Sequence, residues 1–117
     1  MEQGQLAQPY EEMFERNVGH VASRGKEVEV WVEGLPSPKV GFLAGLDDEF
    51  LQVCITDTQT LSNVRRDSVV SMDETGRTIG TLITGAKGTS KEESVLHLRD
   101  KVKHFQSKAT HLYGRSR

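Results

Sequence analysis

Cysteine is nearly missing from this sequence: Cys54 is the only one in 117 residues. A single thiol excludes an intrachain disulfide framework and a cysteine-built zinc site, and it suits a reducing compartment. Hydrophobic residues make up only 35% of the chain, enough for one small core, since two would each be too thin to stand alone. No apolar stretch approaches the roughly 20 residues that cross a bilayer, and Met1-Glu2-Gln3-Gly4 lacks the basic and apolar regions of a signal peptide. The expectation is a soluble, cytoplasmic protein with no membrane partner. An excess of positive charge is missing too. Fifteen Lys+Arg against 17 Asp+Glu leave a net charge of -2, which excludes coating nucleic acid by bulk charge. Any such site must be local. Only residues 99–117 are basic, with six bases and one acid.

What is present divides by period. From Pro9 to about Ala22, Tyr10, Met13, Phe14, Val18 and Val21 recur at helical spacing, with Glu11, Glu12 and Glu15 near the start where the helix dipole favours acids. Pro9 suits a first helical position and Gly25 can end the segment. The period then becomes two. Val28, Val30 and Val32 alternate with Glu27, Glu29, Trp31 and Glu33, predicting a strand with one buried and one exposed face. Gly34-Leu35-Pro36-Ser37-Pro38 reads as a turn. A second strand, Lys39 to Leu46, sets Val40, Phe42 and Ala44 opposite Gly41, Leu43 and Gly45. After the polar turn Asp47-Asp48-Glu49, Leu51, Val53 and Ile55 alternate with Phe50, Gln52 and Cys54 in a third. Two more strands, about Thr60 to Arg65 and Ser68 to Asp73, meet at a corner at Arg66-Asp67.

Five short, valine-rich strands bent by glycine predict a mainly β fold, a strongly bent antiparallel barrel with an N-terminal helix over residues 1–85. Glu74-Thr75-Gly76-Arg77 reads as a turn, Thr78 to Ile83 as an extra strand, and Gly85-Ala86-Lys87-Gly88 as a flexible linker. Residues 86–117 form that linker and a basic amphipathic helix. Ser90 with Glu93 makes a capping box, and Val95, Leu98, Val102, Phe105, Ala109 and Leu112 follow at alternating spacings of three and four. That stripe is expected to dock on its own barrel rather than on a second copy.

Catalytic patterns are absent. Nothing in the spacing joins Cys54 to His20 as nucleophile and base. His97, His104 and His111 stand about 10.5 Å apart along a helix, too far to hold one metal. Gly76, Gly80, Gly85 and Gly88 lack the context of a phosphate-binding loop. The expectation is therefore a protein that is not an enzyme and carries no cofactor or metal.

Two stretches carry a family likeness. Val40-Gly41-Phe42-Leu43-Ala44-Gly45-Leu46-Asp47-Asp48-Glu49-Phe50-Leu51-Gln52-Val53 resembles the first motif of the Sm and Sm-like (LSm, Hfq-related) family, and Val64-Arg65-Arg66-Asp67-Ser68-Val69-Val70 is similar to the second. Arg66 stands where the family has glycine and Gln52 where it has asparagine. Aligned on strand alternation, Asp48, Phe50 and Gln52 take the aspartate, aromatic and asparagine positions. Keeping Gly45 and Asp47 aligned puts Glu49 and Leu51 at the last two instead. The resemblance implies homo-oligomeric rings of six or seven subunits, joined through the fourth and fifth strands, that bind single-stranded RNA. Phe50 would then stack a base, Gln52 read a base edge, Arg65 and Arg66 supply cations, and Asp48 and Asp67 orient the loops. A small-barrel interaction or assembly module without RNA binding is the alternative.

Overall fold

The computed structural model describes the backbone of residues 2–109 and the side chains of residues 13–109. Helix α1 spans Glu2–Ser23. It starts ahead of Pro9, because Gln5-Leu6-Ala7-Gln8 are themselves good helix formers. Val18, Val21 and Ala22 form its buried stripe with the half-buried Phe14 beside them, whereas Met13, one residue round the helix, is exposed. Gly25, in the left-handed region at φ 62°, ends it.

Five antiparallel strands follow: β1 Lys26–Val32, β2 Lys39–Leu46, β3 Phe50–Ile55, β4 Leu61–Arg65 and β5 Val69–Thr78. A 3-10 turn, Arg66–Ser68, makes the corner before β5. The order across the sheet is β4-β3-β2-β1-β5. The edges β4 and β5 do not pair with each other, so the expected barrel is an open, bulged sheet. Five strands leave one unsatisfied edge at each end.

Each face of the sheet has its own cover. On one, Val28, Val30, Leu43, Leu51, Val53 and Val64 pack beneath α1. On the other, Phe42, Ala44 and Cys54 pack beneath two further helices, α2 Ile79–Ala86 and α3 Glu92–Lys108, through Ile79, Leu82, Leu98, Val102 and Phe105. α3 docks on its own chain, as its apolar stripe predicts; Leu112 and His111 lie outside the described residues. Gly41 is required where β2 meets β3, because a Cβ there would collide with the Cys54 carbonyl.

Four expectations from the end of β5 onward are corrected. Glu74-Thr75-Gly76-Arg77 does not reverse the chain. Lys26 pairs with Thr78 and Val28 with Glu74, so β5 carries two extra residues there, and Gly76 takes φ 94° within this bulge. Thr78 to Ile83 is not a strand, since Ile79, Leu82, Ile83 and Ala86 fall at helical spacing and Thr78 and Thr81 cap α2 reciprocally. Gly85 and Ala86 therefore belong to α2 rather than to a linker. Ser90 does not cap α3 either: Thr89 Oγ1 accepts the Lys91 N–H at 3.1 Å, and the Glu92 carboxylate accepts the Gly88 N–H.

The bulge has a chemical consequence. Glu27, expected on the exposed face of β1, is fully buried. Its carboxylate accepts bonds from Thr56 Oγ1 at 2.5 Å, Thr75 Oγ1 at 2.8 Å and Arg77 Nε at 2.6 Å. Thr75 and Arg77 lie in the bulged segment, which turns them onto the charge; a buried carboxylate survives only when paired and hydrogen-bonded.

Candidate nucleic-acid interface

Alternation puts Phe50, Gln52 and Cys54 on one face of β3, and pairing sets Arg65, Asn63 and Leu61 beside them on β4. The resulting ladder changes character along its length. Cys54 and Leu61 lie in the apolar layer beneath α3. Gln52 and Asn63 come next, joined by a side-chain hydrogen bond of 3.1 Å. Phe50 and Arg65 form the outer rung, the ring half-buried and the guanidinium exposed.

A bulge in β2 fixes where the cover stops. Leu43 pairs with Val53, but Gly45 pairs with Gln52, which turns Gly45 onto the Gln52 face rather than the Leu43 face that simple alternation predicts. A Cβ on Gly45 would strike the Gln52 amide and sit 3.3 Å from Ala109, at the end of α3. The described helix thus ends over Gln52 and leaves the Phe50–Arg65 rung uncovered.

The loops behind this rung are held by Asp47 and Arg66. Asp47, not Asp48, organises the β2–β3 turn: its carboxylate accepts the backbone N–H groups of Glu49 at 2.8 Å and Phe50 at 2.7 Å. Asp48 is exposed. Both aspartates follow the strand closely, so the local turn signal is present at either. Arg66 donates to the Asp47 carbonyl at 2.7 Å and pairs with Glu15 at 3.2 Å, its guanidinium 5.5 Å from the Phe14 ring centre. With its side chain only 17% exposed, Arg66 clamps the corner to the neighbouring turn and to α1. Arg65, 59% exposed, turns to Asp67 at 3.5 Å. The structure thus brings Phe50, Gln52 and Arg65 onto one surface, and turns Arg66 inward.

An open five-stranded sheet with an N-terminal helix and a 3-10 corner before its last strand is consistent with the Sm-like fold. Residues 4–92 match the family model of the Hfq-like proteins. The chain belongs to that Sm-like family. No curated protein and no solved structure matches the chain. Among the described residues no helix is long and apolar enough to cross a membrane, and no three potential ligands are grouped to hold a metal ion.

Proposed function

We propose that this protein assembles into a closed homo-oligomeric ring and binds single-stranded RNA on the Phe50–Arg65 rung of each subunit, without catalysis. The observation that carries the reading is the uncovered rung itself, an aromatic ring beside an exposed guanidinium next to the free edge β4. A ring pairs β4 of one subunit with β5 of the next and so satisfies both edges without endless growth. Phe50 offers a flat surface to a splayed base and Arg65 a cation to base or phosphate, while Gln52, bonded to Asn63, retains capacity to meet a base edge. Each stacked base is worth roughly 1–3 kcal/mol, so repeated pockets bind one strand tightly despite the acidic balance of the chain.

The test is a titration with short U-rich and A-rich RNA. Phe50→Ala and Arg65→Ala are each expected to weaken binding by roughly 1–3 kcal/mol per pocket while leaving the assembly intact. Unchanged affinity in both would refute this site. One observation favours an assembly module without RNA binding: Arg66 is committed to Asp47, Glu15 and Phe14. On that reading RNA of either composition fails to bind while the oligomer persists.

A further inference from the structure

α3 is laid along the β3–β4 hairpin in one direction. Toward its start, the Gln59 side-chain amide donates to the Ser94 carbonyl at 2.9 Å and Lys101 Nζ donates to the Gln59 carbonyl at 3.3 Å, which fixes this half of the helix over the loop between β3 and β4. Toward its end, the Gln106 side chain donates to the Leu43 carbonyl at 2.8 Å, and Ala109 lies 3.3 Å from where a Gly45 Cβ would stand, over Gln52. The helix therefore runs from the loop end of the hairpin toward the Phe50–Arg65 rung. Its described end is one rung short of it.

Ala109 closes the helix with extended dihedrals, φ -74° and ψ 137°. Two residues of strand separate Gln52 from Phe50, a distance of about 7 Å. The eight residues that follow Ala109 in the sequence span up to about 26 Å when extended, so the rung and its surroundings fall within their reach. Residues 110–117 lie outside the described residues. Their sequence holds His111, Leu112, Tyr113, Arg115 and Arg117 and no acid.

That composition decides between two roles. A segment that covers the rung in place of a ligand needs an acid to meet the exposed Arg65, whose ion pair among the described residues is to Asp67 at 3.5 Å. This one has none, and its two arginines repel the Arg65 guanidinium. A polyanion with flat bases satisfies both sides at once, because arginine suits phosphate and every base has a face to stack. Resting on the reading of the rung as an RNA site, we infer that residues 110–117 form the second wall of that site. Tyr113 stacks the base next to the one held by Phe50, and Arg115 and Arg117 join Arg65 on the phosphates. Positive charge is thereby concentrated where the RNA lies, on a chain whose net charge is -2. Nearly all of α3 and the whole of this segment lie beyond residue 92, where the family match ends, so this wall is the chain's own addition.

Fluorescence anisotropy with a short labelled U-rich RNA and the intact chain, at several salt concentrations, tests this. Tyr113→Ala is expected to weaken binding at least about fivefold, the lower end of what one stacked base contributes, and Tyr113→Phe, which keeps the ring, should bind like wild type. Arg115→Gln combined with Arg117→Gln should flatten the slope of log affinity against log salt by about 1.4 per site, two phosphate contacts at about 0.7 each on a single strand. The mass by light scattering should stay that of wild type in every variant. Phe50→Ala separates this wall from the rung. Weakening by Phe50→Ala with no change in any 110–117 variant would overturn the second wall and leave the rung standing, whereas no RNA binding by wild type would overturn both. Tighter binding by the 110–117 variants would make the segment a cover and overturn the inference, as would a loss of affinity that comes only with a changed mass.

Discussion

The two faces of one sheet are covered in different ways. Beneath α1 lies the larger apolar layer, built from every strand through Val28, Leu43, Leu51, Val64 and Val69, and these strands and all but the first residues of this helix fall within residues 4–92. Beneath α2 and α3 lies a smaller layer centred on Phe42, Ala44 and Cys54, and most of its cover is the extension that follows. The first face makes the family fold. The second adds a helix whose described end lies over Gln52, so that among the described residues it does not extend over the outer rung of the same hairpin.

Core substitutions are the sharpest way to break this comparison. Leu51→Ala, fully buried beneath α1, should cost about 4 kcal/mol in chemical denaturation. Leu98→Ala, 2% exposed beneath α3, should cost about 2–3 kcal/mol and leave the oligomeric mass unchanged, since α3 docks on its own chain. Equal losses from both would make the faces equivalent, and loss of the oligomer in Leu98→Ala would make α3 an assembly element.

Glu27→Gln comes next, with an expected loss of about 1–2 kcal/mol by urea unfolding. The amide keeps the shape but loses the charge that Arg77 meets and leaves one hydroxyl bond mismatched. A neutral result would mean that the bulge, not the charge, holds β5 in place.

The smallest effect concerns Cys54. Burial pushes its thiol above the ordinary value, partly offset by the Lys101 ammonium nearby. The folded state therefore holds the proton more tightly than the unfolded chain. That contribution to stability is complete below the unfolded value of about 8.5 and is lost as pH rises through the folded value. Wild type should lose stability at alkaline pH more steeply than Cys54→Ala, and its thiol should react slowly with disulfide reagents at pH 8. Parallel pH curves would contradict this.

The strand alternation at Val28–Val32 and Leu51–Ile55 was legible because one face of each is apolar, and the α3 stripe because three- and four-residue spacings survive in any helix. Glu27 was not legible. Its burial depends on a two-residue bulge in a strand about 50 positions away, and Gly76 looks the same locally in a turn as in a bulge. Thr78 to Ile83 is rich in β-branched residues, and the reciprocal Thr78–Thr81 cap and the helical spacing that continues to Ala86 decide for helix. In the candidate site, strand alternation joins Phe50 to Gln52, and the family resemblance adds Arg65. The roles of Asp47 and Arg66 were not legible, because which aspartate accepts the turn, and whether an arginine points in or out, depend on loop geometry and on Glu15 and Phe14 of α1.

Assembly is the claim on which the functional reading rests, and light scattering with the intact chain measures it directly. Paired β4 and β5 edges in a closed ring predict a single species of roughly five to eight times the 13.0 kDa chain mass at micromolar concentration. A strictly monomeric protein under the same conditions would contradict the account.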